Sequence, residues 1–379
     1  MNTTYELNNL RKDSDYIGGS QIKANSPVVE VFAAMVNGES IEKFGKMGDK
    51  AVEFIKDLGT RAENGDFSAV AELNTLRRFM IETPILEEMK FLGIFGSYKN
   101  VGFDETVERE VYKHVGERSR IQAAGGDVVF PAISKEVYPV AGVTISGGYA
   151  VDYRRVALGD MTKENEGMEM VRTDIRNRAV RYVVEKVYNA IKNATGVKYF
   201  GEFNGLTKTG IDAILTAVRR NGRPTVIGDY AILSQFTPWA GYVGTIGANT
   251  ITGISQKALD EIAQNGLLSA YNGAVLAELQ NPYNEYDMSG SVSVNNGTNT
   301  TVTPNFSPLL PAGLGIVVPA GAQSPIATWT RGGLTSFTGN NVHTGKVETR
   351  FDMEVLCDVA KGQEHKLGIF YDAQVGGID

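Results

Sequence analysis

The sequence predicts an α+β fold, and three stretches carry that reading. The first ninety or so of its 379 residues are patterned as helices. Residues 162–194 repeat apolar side chains every four positions, and residues 347–359 alternate apolar with charged ones. A helix of about 30 residues spans about 45 Å, and the strand over 347–359 about 40 Å, both well beyond the usual.

The helical stripes come first. Ile41, Phe44, Met47, Ala51, Phe54, Ile55 and Leu58 share one face of a helix over 40–58, with Gly59 placed to end it. A second helix over 68–81 starts near Asp66 and carries Leu73, Leu76, Phe79 and Met80. Thr83 and Pro84 then form an N-cap and first-turn proline for a short third helix ending near Gly93. Stripes this regular pack; none requires a cofactor.

From 107 to 158 the period falls toward 2. Val111, Val115 and the stretches 128–133, 137–145 and 149–156 are strand-like, separated by Gly125, Gly126, Pro131, Pro139, Gly142, Gly147 and Gly148. This stretch has few large apolar side chains, so it reads as one long hairpin without a core, which must lie on something else. In 162–194, Val171, Ile175, Ala179, Val183, Val187 and Ile191 form the stripe, while Glu164, Glu166 and Glu169 suit the N-terminal dipole and Lys192 the C-terminal one.

Residues 205–331 read as a separate α/β unit: a helix ending at Asn221-Gly222, a buried strand at 224–227, helices over 229–236 and 257–263, and a strand from 274 to 279. Two tracts, 230–256 and 288–330, contain no Asp, Glu, Lys or Arg. Charge depletion with Thr, Asn, Gly and aromatics kept is compatible with an interface core. The polar 289–307 segment reads as a loop, and the apolar 309–318 run fits a buried strand equally well. In 347–359 only Leu356 interrupts the charged face; Cys357 lies on the buried one.

Chemistry is excluded class by class. With 37 Lys and Arg against 44 Asp and Glu, the net charge of −7 argues against nucleic-acid binding through a basic patch. One cysteine makes no internal disulfide, and three histidines leave little for a zinc site. No phosphate loop, dinucleotide fingerprint, nucleophile elbow or zincin helix occurs. Glu87 and Glu88 are neighbours that do not face each other. No apolar run is long enough to cross a membrane. The expectation is a protein without cofactor, metal or catalytic residues whose task is assembly.

The order of elements resembles the major capsid proteins of tailed bacteriophages, the Hong-Kong-ninety-seven-like fold shared with encapsulins. RSRIQAAGGDVVFPAISKEVYPVAGVTISGGYAVDYRRVALGD (118–160) resembles the extended loop of that family, 162–194 its spine helix, and GKVETRFDMEVLCDVAKGQEHKLGIFYD (345–372) the return on a long strand. TVIGDYAILSQF (225–236) and ALDEIAQNGLLSAYNGAVLAELQNP (258–282) resemble parts of the axial domain. The resemblance implies a helical N-terminal arm (1–103), an extended loop (104–160), a peripheral domain (161–204 and 332–379) and an axial domain (205–331). It also implies a virion subunit forming hexamers and pentamers of an icosahedral shell around double-stranded DNA, assembled in the host cytoplasm. Portal, scaffold or protease proteins would help, with no membrane partner. Arg118, Arg120, Lys135, Glu136, Arg154 and Arg155 would then touch neighbouring subunits, and the spine residues Arg172, Arg176 and Arg181 would pair with acids nearby. The alternatives are an encapsulin-like compartment shell of the same fold and, from a different class, a soluble hydrolase with a scattered triad.

Overall fold

The computed structural model describes residues 27–37, 39–115, 121, 130, 132–152, 154, 158, 162–240, 242–246, 249–253, 256–284, 287–288, 290–295, 300–320, 324–341 and 346–375. Its first part is helical: α1 (Pro27–Val36), a 3-10 turn (Ile41–Phe44), α2 (Gly45–Glu63) and α3 (Phe67–Met89). Helix α2 does not stop at Gly59, which is buried within it. The chain turns instead at Gly65, whose φ of 86° is the left-handed conformation glycine adopts freely. Asp66 caps α3 by accepting from the Ser68 amide at 2.9 Å.

The expected third helix does not start at Pro84, because α3 runs through it to Met89. Ile81, Ile85 and Met89 are all buried on one face of α3. That packing outweighs the helical hydrogen bond the proline cannot donate.

The spine helix α4 (Thr162–Lys192) lies on a four-stranded sheet of order β1 (Ser97–Val101), β14 (Ile326–Asn341), β15 (Lys346–Val359), β4 (Gly142–Val151). Strand β1 is parallel to β14, and the other two pairings are antiparallel. The register of β14 shifts between Arg331 and Leu334, where Gly332 and Gly333 both adopt positive φ. The alternation read in 347–359 is realised: Phe351, Met353, Val355 and Cys357 are buried in the core that also holds Val171, Ile175, Val183 and Val187 of α4. The helices α1 to α3 share this core through Phe32, Phe54, Leu58, Leu73 and Leu76.

The stretch 107–158 is not one coreless hairpin. Strands β2 (Glu108–Val115) and β3 (Ala132–Pro139) pair only with each other, whereas β4 joins the main sheet. Ile145, Tyr149 and Val151 put β4 into the main core. The closeness of strand and helix needs glycine: a Cβ on Gly147 would sit 3.1 Å from Val171, and one on Gly167 would sit 2.7 Å from the Tyr149 ring.

A six-stranded sheet has the order β5 (Tyr199–Phe203), β16 (Gly368–Asp372), β13 (Leu314–Pro319), β6 (Pro224–Gly228), β10 (Ala274–Glu278), β9 (Ala270–Tyr271). Helix α5 (Lys208–Arg219) packs on it through Ile211, Ile214 and Val218, beside an aromatic group of Phe236, Tyr271 and Phe370. The apolar 309–318 run is accounted for within the chain, since every residue of β13 is buried between β16 and β6. In place of the single helix expected over 229–236 there is a four-residue helical turn (Tyr230–Leu233), capped by Asp229, and then a 3-10 turn (Ser234–Ala240). Two further hairpins, β7 (Tyr242–Ile246) with β8 (Asn249–Gly253) and β11 (Gly290–Asn295) with β12 (Thr300–Asn305), flank α6 (Gln256–Asn265) in sequence. The 289–307 segment is thus largely a hairpin rather than the loop its composition suggests. Val–Ser and Thr–Val alternation supplies the period-2 pattern.

Candidate assembly surface

The β2–β3 hairpin is a two-stranded sheet with apolar side chains on its surface. Tyr112, Ile133 and Val137 are exposed apolar side chains, with relative exposures of 57%, 65% and 45%. Its root is seated on the main sheet, and Val111 further along β2 is buried as well. Val107 and Val140, joined by an amide-to-carbonyl bond of 2.9 Å, pack with Val101, Leu356 and Trp329 in a small separate cluster. The one apolar interruption in the charged face of β15 therefore has a purpose: Leu356, fully buried, is the seat of the hairpin.

Polar contacts fix the same root. Tyr138 on β3 donates to Asp358 Oδ2 at 2.8 Å and accepts from the Lys361 amide at 3.3 Å. The Lys361 ammonium lies 4.2 Å from the centre of the Tyr138 ring. Opposite Tyr138, Arg109 donates to the Pro325 carbonyl at 2.7 Å and lies over the Trp329 ring. Burial holds the Asp358 carboxyl above its ordinary range, although Tyr138, Arg109, Lys361 and Lys186 favour its charged form. Burial and the Asp358 contact push the Tyr138 phenol up to about 12.

Of the expected interface residues, Lys135 and Glu136 lie on this hairpin. Lys135 is exposed and bonded across the strands to Glu110 at 2.6 Å, a contact that lowers the Glu110 carboxyl and raises the Lys135 ammonium. Glu136 is half-exposed. Arg154 is exposed and reaches Glu63 of α2 at 3.1 Å. Arg118, Arg120 and Arg155 lie outside the described residues.

On the spine, Arg172 meets Glu169 at 2.5 Å and Glu88 of α3 at 3.4 Å, and Arg176 is 3.9 Å from Glu88. Arg176 also donates to Gln280 Oε1 at 2.6 Å and lies over the Phe91 ring. Arg181 pairs with Glu185 one turn along at 2.7 Å. Arg172 and Arg176 thus already join α4 to α3 within one chain.

Sequence reasoning missed the most deeply buried polar contact. Arg77 of α3 and Glu164 of α4 are each 1% exposed at the side chain and form a bidentate pair, with Nε to Oε2 at 3.0 Å and Nη2 to Oε1. Tyr149 of β4 donates to the same Oε2 at 2.9 Å and stacks on Phe351. Glu164 reads as a dipole residue in sequence, yet it is a core residue. The signal for Arg77 was present: Leu73, Arg77 and Ile81 recur every four residues, which places the arginine inside the buried stripe.

Among the described residues no group of three or more His, Cys, Asp or Glu could hold a metal ion, and no helix is long and apolar enough to cross a membrane. Burial pushes the Cys357 thiol up to about 12, which leaves it a poor nucleophile.

The fold thus sets a long helix on one sheet, a second sheet beside it and a hairpin with exposed apolar side chains. This chain belongs to the family described as "SPbeta prophage-derived putative capsid protein YonB", whose model matches residues 6–370. It is a structural capsid protein, a virion component. No curated protein matches. Solved structures similar to it include that of Mycobacterium phage Che8, with 12% identity over 71% of this chain and 85% of that one and a TM-score of 0.43. A virus-like particle from Pyrococcus furiosus gives 7%, 76%, 97% and 0.41 in the same order. The head structure of Helicobacter pylori bacteriophage KHP40 gives 7%, 74%, 88% and 0.43.

Proposed function

We propose that this chain assembles with copies of itself into hexamers and pentamers that close into an icosahedral shell around double-stranded DNA. Assembly takes place in the host cytoplasm, with portal, scaffold or protease proteins acting on the growing shell. The observation that carries this reading is the β2–β3 hairpin: its Tyr112, Ile133 and Val137 stay exposed among the described residues, and exposed apolar residues gain most from burial against a neighbour.

In this proposal the chain works as a helical arm (1–103), an extended loop (104–160), a peripheral part (161–204 and 332–379) and an axial part (205–331). Arg118, Arg120, Lys135, Glu136, Arg154 and Arg155 contact neighbouring subunits. Arg172, Arg176 and Arg181 keep part of their exposure, leaving room for acids of a second copy. The net charge of −7 suits an inner wall that must not hold DNA tightly. No enzymatic step is needed. Membership of a prophage capsid family favours this reading over a compartment shell.

Electron microscopy of the purified full chain tests it. Closed particles, or hexameric and pentameric rings, are expected. Monomers at every concentration, with or without a co-expressed scaffold, would overturn it.

A further inference from the structure

The buried pair between Arg77 and Glu164 poses a physical question. Taking two charges out of water gives back little net stability compared with apolar side chains of the same size, whereas breaking such a pair is costly. Its advantage over apolar packing is direction. Leu73, Leu76 and Ile81 share one apolar core with Met168, Val171 and Ile175, and such packing is non-directional. One helix could slide along another by a turn, about 5.4 Å, and still bury apolar surface. The ion pair forbids this. A slipped α3 would leave a guanidinium and a carboxylate buried without each other, and the Tyr149 hydroxyl without its acceptor.

The three residues also come from three separate stretches of chain. Arg77 belongs to α3, Tyr149 to the strand that returns from the hairpin, and Glu164 to the first turns of the spine. They meet within 3.0 Å at one carboxylate.

We propose that Arg77, Glu164 and Tyr149 form a register pin that admits a single seating of the N-terminal helices on the spine. Every copy then presents the same outline to its neighbours, as a closed lattice requires. The inference deepens the capsid reading and rests on it only for the second of the two readouts below.

The first readout is a distance within the unassembled full chain. Nitroxide labels at Ser68→Cys and Met170→Cys, both exposed positions, report the α3-to-α4 offset by pulsed electron resonance; buried Cys357 is left unlabelled. The parent should give one narrow distance. The Arg77→Met/Glu164→Leu variant keeps the volume apolar and should fold, yet show a second population of about a tenth or more, displaced by about one helical turn. Arg77→Lys keeps the charge but loses the two-pronged geometry, so it should broaden the distribution and decides the matter where the double variant does not fold.

The second readout is shell uniformity under the electron microscope, where both variants should yield mixed sizes and the parent a single one. An unchanged single distance in every variant that folds would overturn the pin. Failure of the parent to form shells would overturn the capsid reading and leave the distance result standing.

Discussion

Replacing Leu356 with alanine isolates the hairpin's attachment from the rest of the fold. Leu356 is fully buried but faces away from the main core, against Val101, Val107, Val140 and Trp329. Leucine-to-alanine changes in cores cost about 2–5 kcal/mol, and a cluster this small and close to the surface belongs at the low end, about 2–3 kcal/mol. Among the described residues β2 and β3 pair with no other strand, so the loss falls mainly on the equilibrium by which the hairpin lifts off its seat. At about 1.4 kcal/mol per factor of ten, amide exchange in Glu108–Val115 and Ala132–Pro139 should accelerate about 30- to 150-fold. Exchange in Thr162–Lys192 should change far less. Met353→Ala, on the opposite face of the same strand and buried in the main core, should instead lower protection of the spine. Hydrogen exchange read by mass spectrometry on both variants separates the two. If Leu356→Ala left the hairpin amides as protected as in the parent, the idea that this residue seats the hairpin would be wrong.

Three further outcomes are expected. Gly167→Ala should cost about 1–3 kcal/mol in chemical denaturation, because its Cβ would fall 2.7 Å from the Tyr149 ring; an unchanged midpoint refutes the close approach of β4 to the spine. Cys357, its thiol raised from 9.0 to about 12, should react with a disulfide reagent at pH 8 about a thousandfold more slowly in the folded chain than in urea, and equal rates would contradict its burial. Burial raises the Asp358 carboxyl above 3.8, so the folded chain binds that proton more readily than the unfolded one. Its contribution to stability therefore grows as pH falls through the folded value and is complete below 3.8. Asp358→Asn should remove that rise, and parallel urea titrations across acidic pH that show identical slopes would count against it.

How far the fold is legible depends on whether a residue's partner is near in sequence. The alternation of 347–359 and the four-residue repeat of 162–194 describe their own faces, and both elements form where that patterning places them. Asp66 caps its helix for an equally local reason. Leu356 was visible as an anomaly, but what covers it comes from residues 101, 107, 140 and 329, which no local period reveals. Pro84 and Gly59 misled because local propensity yields to core packing on their helix faces. The 289–307 hairpin was hidden by a loop-like composition. On the assembly surface, the exposed charges were easy to nominate and the buried ones were not. Lys135 stands out on a polar strand, whereas Arg77 is recognisable only once its place in the stripe of Leu73 and Ile81 is weighed against its charge.

Strand β16 lies inside the six-stranded sheet, between β5 and β13. A growing polypeptide therefore holds Tyr199–Phe203 with its pairing edge open until Gly368–Asp372 has left the ribosome. The four-stranded sheet waits in the same way for β15, which lies between β14 and β4. Neither sheet can therefore close around its core before the last strands of the chain have been made.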